Sequence, residues 1–382
     1  MSALVKLLAG ITPPPIVTPQ EYDGWQIKWK AIVFRPALLK IEGFLAIGIL
    51  FYVLFWYIGS SVNASKAKKW ISVHLPIYEQ QFSRPQSKTG LIQDGYSDSF
   101  NFSTGRRNVA SLHTIFTLRP RHDFFQWIFQ TARTFVDLHY RPVDDIQLDF
   151  KLLPGALQDG FVWAIVAKDE LLSVKANRWD LVGTLSRRFL FLQLNHSQTL
   201  AKTSENAAVP SAFVVMTEYA DITENLLKPI GNFNLLNVLQ DPKILPYFRS
   251  LSITDQPRER PNLPIPVEER QKHVILSLSA PSSSHAADTT ALVSAMFQLV
   301  DSLNKIHLRP ETKNKLKRIR EDIDKTIKED AEKEKALDAK AAAKRKAEEE
   351  RIAKLSPAEQ KKELEKERKR NLRKSQGKVV RK

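Results

Sequence analysis

The sequence predicts an α+β globular domain that carries an N-terminal single transmembrane helix and ends in a long C-terminal charged helix. Three observations predict it: an uncharged seventeen-residue run from Gly43 to Gly59, a central stretch where strand-like and helix-like patterns intermingle, and a last fifth dominated by Lys, Glu, Arg and Ala. The division that follows is 1–40 as a short N-terminal segment, 41–62 as the transmembrane helix, 63–99 as a connector, 100–308 as the α+β domain and 309–382 as a basic helical tail.

The run GFLAIGILFYVLFWYIG covers about 26 Å as a helix, a little under the ~30 Å hydrocarbon core, so Ala37 to Ile41 and Ser60 to Val62 must complete the crossing. Its membrane-anchoring side chains are Phe44, Leu45, Ile47, Ile49, Leu50, Phe51, Val53, Leu54, Phe55 and Trp56. Trp56 and Tyr57, with Trp25 and Trp29 upstream, suit a headgroup belt. Hydrophobicity right round the helix argues against a core helix of a soluble domain. The run lies behind Pro13, Pro14 and Pro15 and lacks a small-residue cleavage pattern, which argues against a signal peptide. Lys28, Lys30, Arg35 and Lys40 before it balance Lys66, Lys68 and Lys69 after it, so charge leaves the orientation open. Sequons at Asn63, Asn101 and Asn195 are glycosylation candidates only if the large domain is lumenal.

In the connector, Lys66 to Gln81 reads as a helix and Ser83 to Ser99 as a loop. Val109 to Leu118, Ile146 to Leu153 and Phe161 to Ala167 read as strands, the last two as a hairpin around Pro154-Gly155. Between them, Phe124, Trp127, Ile128, Thr131, Phe135 and Leu138 recur at three- and four-residue spacing, an amphipathic helix over Asp123 to Leu138. Further helices are expected at Lys168 to Leu181, Leu235 to Leu239 and Asp288 to Leu308, and further strands at Leu251 to Thr254 and His273 to Leu278.

Composition narrows the chemistry. The 382 residues contain no cysteine, which excludes disulfides, thiolate zinc sites and cysteine nucleophiles, and the eight histidines show no metal-ligand spacing. Nucleotide-binding glycine loops and the Gly-x-Ser-x-Gly elbow are missing too, so neither an enzyme nor a cofactor is expected. Asp144 and Asp145, adjacent on a strand, point to opposite faces and read as a turn after Arg141-Pro142. His113 and His122 beside Arg119 and Arg121 read as a solvated basic edge, and Gly105-Arg106-Arg107 as a turn with exposed arginines.

The chain carries a formal +16, and residues 309–382, with 27 basic against 16 acidic, hold +11 of it. Thr312 to Leu355 has no Gly or Pro and places acid before base four apart at Glu321/Lys325, Asp324/Lys328, Glu329/Lys333 and Glu350/Lys354, which favours an exposed helix. The apolar stripe Leu316, Ile319, Ile323, Ile327 stops there, too short for a sustained coiled coil. Ser356-Pro357-Ala358-Glu359 is a capping box with proline at the first helical position, so a bend is expected near 356–357. Beyond it Lys361, Lys362, Lys366, Arg368, Lys369, Arg370, Arg373, Lys374, Lys378, Arg381 and Lys382 face three acids, a net +8 in 22 residues. With no aromatic interleaved, this suits the phosphate backbone of duplex or structured RNA; a solvated helix and an anionic lipid surface are the alternatives.

The order of these parts resembles the calumin family (coiled-coil domain-containing protein 47). The likeness rests on the span followed by Lys66-Ala67-Lys68-Lys69-Trp70, with His74 and Phe82 downstream, then Gly105-Arg106-Arg107 and the tail segment LSPAEQKKELEKERKR, and covers about residues 37–382. The resemblance implies an endoplasmic-reticulum membrane protein with a lumenal N-terminus and a cytosolic domain and tail. It also implies a ribosome- and translocon-associated adaptor or chaperone subunit of the PAT complex, partnered by a small membrane protein of the Asterix type and serving multipass membrane protein clients. Over residues 1–40 only Glu21 and Asp23 are acidic, where animal members carry a long acidic segment, so calcium binding is not carried over. A membrane-anchored coiled-coil tether without ribosome binding is the competing reading.

Overall fold

The computed structural model describes residues 24–29, 32–34, 40–137, 140–182, 201–231 and 233–353. They fall into two units, one of residues up to 258 with 271–308, the other of 259–270 with the chain from 309 onward. The first unit opens with a small antiparallel ribbon of β1 (Ile27–Trp29) and β2 (Ile32–Phe34). Next comes helix α1 (Lys40–Gln81), 42 residues or about 63 Å.

The apolar run and the predicted helix Lys66 to Gln81 are thus one uninterrupted helix with two environments. From Phe44 to Leu54 every large apolar side chain is exposed. Further along, Ala67, Trp70, Ile71, His74 and Tyr78 recur on one face and are buried. What reads as a connector in sequence contributes to the core, because Trp70 and Tyr78 each bury a large ring there.

Among the described residues, nine strands form one antiparallel sheet: β3 (Ile92–Gln93), β4 (Asp98–Ser103), β5 (Val109–Thr117), β6 (Asp145–Leu152), β7 (Trp163–Ala167), β8 (Lys202–Ser204), β9 (Phe213–Thr217), β10 (Phe248–Thr254) and β11 (His273–Ser279). Their order is β3-β4-β5-β6-β11-β10-β7-β9-β8. The expected hairpin of β6 with β7 is absent: β6 pairs with β5 and β11, and β7 with β10 and β9. The two strands have different patterns for a reason. β6 alternates buried Ile146, Leu148, Phe150 and Leu152 with polar residues and has one face packed on apolar side chains, whereas Trp163 to Val166 are all buried and sit where both faces are covered. Ser83 to Ser99, read as a loop, contains β3 and the start of β4, and the strand β9 (FVVMT) has no counterpart among the sequence expectations.

Helix α2 (Phe124–Val136) follows β5. The expected helix Lys168 to Leu181 is a 3-10 turn, then α3 (Leu171–Asn177), then α4 (Trp179–Val182), broken at Arg178. Arg178 forms a two-bond pair with buried Asp180 (2.7 and 2.8 Å), which holds that break closed. α3 and α4 bring Leu171, Val174 and Leu181 against Ala164, Val166 and Met216, while α5 (Ala220–Leu227) lies on the other face, where Trp163 donates to Thr223. α6 (Leu235–Gln240) and α7 (Thr290–Ser302) follow; α7 is flanked by 3-10 turns rather than running from Asp288 to Leu308.

The main core lies between the β5–β6 region, α7 and the second half of α1. Phe297 of α7 meets Tyr78, Phe82 and Phe150 edge to face with centroids 5.5–6.1 Å apart, and Trp70 meets Phe116 likewise. Behind them His74 stacks on Trp70 at 3.8 Å, and Thr289 bridges the indole N–H of Trp70 and Nε2 of His74, both at 3.1 Å. Burial pushes the His74 pKa down to about 4 against the opposing pull of its hydrogen bonds to Trp70 and Thr289. His74 lies beyond the apolar stretch, within the globular domain.

The folded imidazole is therefore neutral at pH values where the unfolded one takes up a proton. His74 leaves stability unchanged above about pH 6.5 and removes it progressively as pH falls toward 4, on the order of 2 kcal/mol by pH 5. Thermal unfolding at pH 7.5 and 5 is expected to show that loss in the parent chain and to lose most of it in His74→Phe, which keeps the stack on Trp70. Equal pH dependence in the two would remove His74 as the cause.

In the second unit, helix α8 (Pro310–Ala353) is tied to the segment 259–270 by Arg260 with Asp330 at 2.7 Å and by a close pair of Arg270 with Asp324. The bend near 356–357 lies outside the described residues.

Candidate membrane-facing site

The apolar half of α1 is not alone. Helix α2 buries none of its thirteen residues in the globular core. Phe124 meets Phe51 and Phe55 edge to face at 5.5 and 5.2 Å, Trp127 meets Phe55 at 6.4 Å and Phe125 lies 6.0 Å from Tyr52. The amphipathic pattern in the sequence is real, yet none of it is buried in the sheet, and its first turn packs on the apolar run of α1. Phe125, Phe129, Phe135 and Val136 remain 63–87% exposed.

Local chemistry fixes where α2 begins. Asp123 is its N-cap and accepts from the Gln126 N–H at 3.1 Å. The turn before it presses against α1 at Gly59: a Cβ on Gly59 would collide with the Arg121 carbonyl and lie 2.7 Å from the His122 nitrogen. Only glycine lets the two backbones approach this closely.

About one turn further along α1, a polar network secures the same junction. Asp144, just before β6, accepts from Lys66 Nζ (2.6 Å), from both terminal nitrogens of Arg121 (2.9 and 2.7 Å) and from the Arg119 backbone N–H (2.9 Å). Burial opposes ionisation of Asp144, but these donors hold its carboxyl well below the usual carboxylate range. Asn63 completes the network, accepting from Arg121 at 3.0 Å and donating to the carbonyls of Tyr96 and Arg119. Asp144 and Asp145 do serve opposite sides, since Asp145 pairs with Arg249 and accepts from Ser277. The pair is structural in its contacts.

Two sequence expectations change here. Arg106 is not an exposed turn arginine: its side chain is 6% exposed and donates to Gln81, to the Phe297 carbonyl and to Asp301. The turn itself holds, because Gly105 has φ +88. His113 and His122 do not share one edge either. His113 sits edge-on to Phe100 and Phe102, with its pKa lowered chiefly by burial, while His122 contacts Ser97 and Tyr96.

The ten predicted anchoring residues all lie on α1, exposed from Phe44 to Leu54 and half-buried at Phe55 and Trp56. The eleven basic residues from Lys361 to Lys382 lie outside the described residues. Sequence reasoning missed Gly59, Asn63 and Lys66 as junction residues and α2 as a companion of the run. The density of aromatics in Phe124-Phe125-Gln-Trp127-Ile128-Phe129 was the available signal, since a helix packed on one sheet face needs only one apolar stripe.

The family model described as PAT complex subunit CCDC47 matches residues 39–374. A Schizosaccharomyces pombe protein described as a UPF0674 endoplasmic reticulum membrane protein is 28% identical over 332 residues, covering 84% of this chain and 82% of its own length.

Proposed function

The chain belongs to the PAT complex subunit CCDC47 family, and from that premise we propose that it is a single-pass endoplasmic-reticulum membrane adaptor that aids insertion and folding of multipass membrane proteins at ribosome-bound translocons. The observation that carries this reading is α1: one continuous helix whose apolar half is exposed from Phe44 to Leu54 and whose other half is built into the globular core. Such a helix couples what happens at the membrane to the position of the domain without a flexible joint.

In this reading the chain before residue 40 is lumenal, and the domain and the charged helical tail are cytosolic. Two of the three sequons support that side. The Asn63 and Asn101 side chains are buried, with their Nδ2 atoms, the attachment points of a glycan, donating to backbone carbonyls of Tyr96, Arg119 and Pro85. A domain folded this way has no room for a sugar at either position. Partners in the membrane are a small protein of the Asterix type and multipass clients; the ribosome partner is the RNA backbone, reached by Lys361 to Lys382.

Deleting residues 361–382 tests the tail. Co-sedimentation with ribosomes is expected for the full chain, falling steeply with salt as phosphate contacts release counterions, and to be lost at ~150 mM salt in the deletion. Unchanged, equally salt-sensitive co-sedimentation would assign ribosome binding elsewhere in the chain.

A further inference from the structure

We propose that α2 is a second membrane element, lying within the single leaflet on the globular-domain side, with lipid acyl chains as its partner. The inference rests on α1 spanning the bilayer and adds a half-depth companion to it. Four observations carry it.

Depth comes first. α2 touches α1 at Phe51, Tyr52 and Phe55, four to eight residues before Gly59, which places its first turn about 6–12 Å inside the apolar stretch. The globular-domain end of that stretch is marked by the Asn63, Lys66, Arg121 and Asp144 network, so α2 lies on the apolar side of a polar boundary.

Second, its exposed surface continues that of the span. Phe125, Phe129, Phe135 and Val136 would face water in a soluble domain, an apolar area of a kind that marks a lipid or protein contact. Third, its two hydroxyls are bonded within the helix. Thr131 donates to the Trp127 carbonyl at 2.8 Å and Thr134 to the Thr131 carbonyl at 2.6 Å, the arrangement that lets hydroxyls enter hydrocarbon. Fourth, the remaining polar residues Gln126, Gln130, Arg133 and Asp137 fall on one stripe at helical spacing, leaving the rest of the circumference apolar but for Thr131 and Thr134. Arg133 lies over the Tyr140 ring at 4.3 Å near the end of the helix, a position from which a long side chain reaches the headgroups.

A thirteen-residue helix is too short to cross a bilayer, and lying in one leaflet is the arrangement its length and pattern permit. It would displace lipid beside the span on one side only.

The absence of cysteine makes a direct test clean. Single variants Phe129→Cys, Phe135→Cys, Ile49→Cys as a span control and Lys175→Cys as a water control are nitroxide-labelled in the full chain, in nanodiscs of phosphatidylcholine and phosphatidylserine. Collision rates with oxygen and with a water-soluble nickel chelate are then read at each position. Labels at 129 and 135 are expected to gain oxygen collisions and lose nickel collisions toward the Ile49 values, at a depth of about 5–10 Å below the headgroup–acyl boundary. Nickel access equal to that at 175, with 49 in lipid, overturns the inference and leaves the span intact. Shielding from both reagents overturns it in favour of a protein partner. Nickel access at 49 itself removes the span reading and this inference with it.

Discussion

Gly59→Ala is expected to destabilise the folded protein by about 3 kcal/mol, the upper range for forcing an added carbon into a packed interior. The reason is the identity of the obstructing atoms. A Cβ here meets the Arg121 carbonyl and the His122 nitrogen, and backbone cannot swing aside as the end of a side chain can. Relief requires α1 and the turn before α2 to separate, which would strain the Asp144 network one turn away. For a domain of this size the melting temperature of the detergent-solubilised chain is expected to fall by about 6–12 °C. Gly48→Ala supplies the internal reference: it lies in the same helix with nothing within 4 Å of its Cβ position, so alanine is expected to be neutral or slightly stabilising there through helix propensity. Equal melting temperatures for Gly59→Ala and the parent chain would mean that this approach is not close in solution.

The contrast between these glycines shows what sequence can and cannot convey. Gly43, Gly48 and Gly59 look alike in an apolar run, and only the third meets another backbone, one that arrives from sixty residues later. Periodicity made the apolar run, the amphipathic pattern of α2 and the strands β5, β6, β7, β10 and β11 legible, because each is encoded in its own neighbours. It could not order β6 and β7 in the sheet, since Pro154-Gly155 is compatible with a hairpin or with a longer excursion, and the choice lies in which slot has both faces covered. Nor could it say what the Phe124 stripe faces. A stripe of aromatics predicts a helix with an apolar partner, and whether that partner is a sheet, another helix or lipid is a tertiary fact. The junction residues were the least legible of all. Asn63 read as a sequon and Asp144 as a turn residue, because each acquires its role only when Arg121 is brought between them.

That convergence makes Asp144→Ala the other substitution expected to have a large effect. Lys66 and Arg121 share Asp144 as an acceptor, and its removal leaves two cations beside each other in a partly buried site. The cost expected is about 3 kcal/mol, the low end for breaking a buried pair, since Lys66 and Arg121 keep some contact with water. Linkage supplies a second signature. The carboxyl's folded pKa is depressed below its unfolded value, so Asp144 contributes stability that is complete above about pH 4 and is lost only as pH falls further. The penalty in Asp144→Ala should therefore be constant from pH 7.5 to 5, where the His74 contribution changes, and shrink below pH 4 as the parent chain loses the same interaction. The triple variant Lys66→Met, Arg121→Met, Asp144→Leu separates charge from packing: it should recover much of the loss, because removing all three charges removes the desolvation cost together with the attraction. If Asp144→Ala unfolds within about 0.5 kcal/mol of the parent chain across this range, the network does not hold the junction, and the position of α2 beside the span depends on the aromatic contacts of Phe124, Phe125 and Trp127 and the close approach at Gly59.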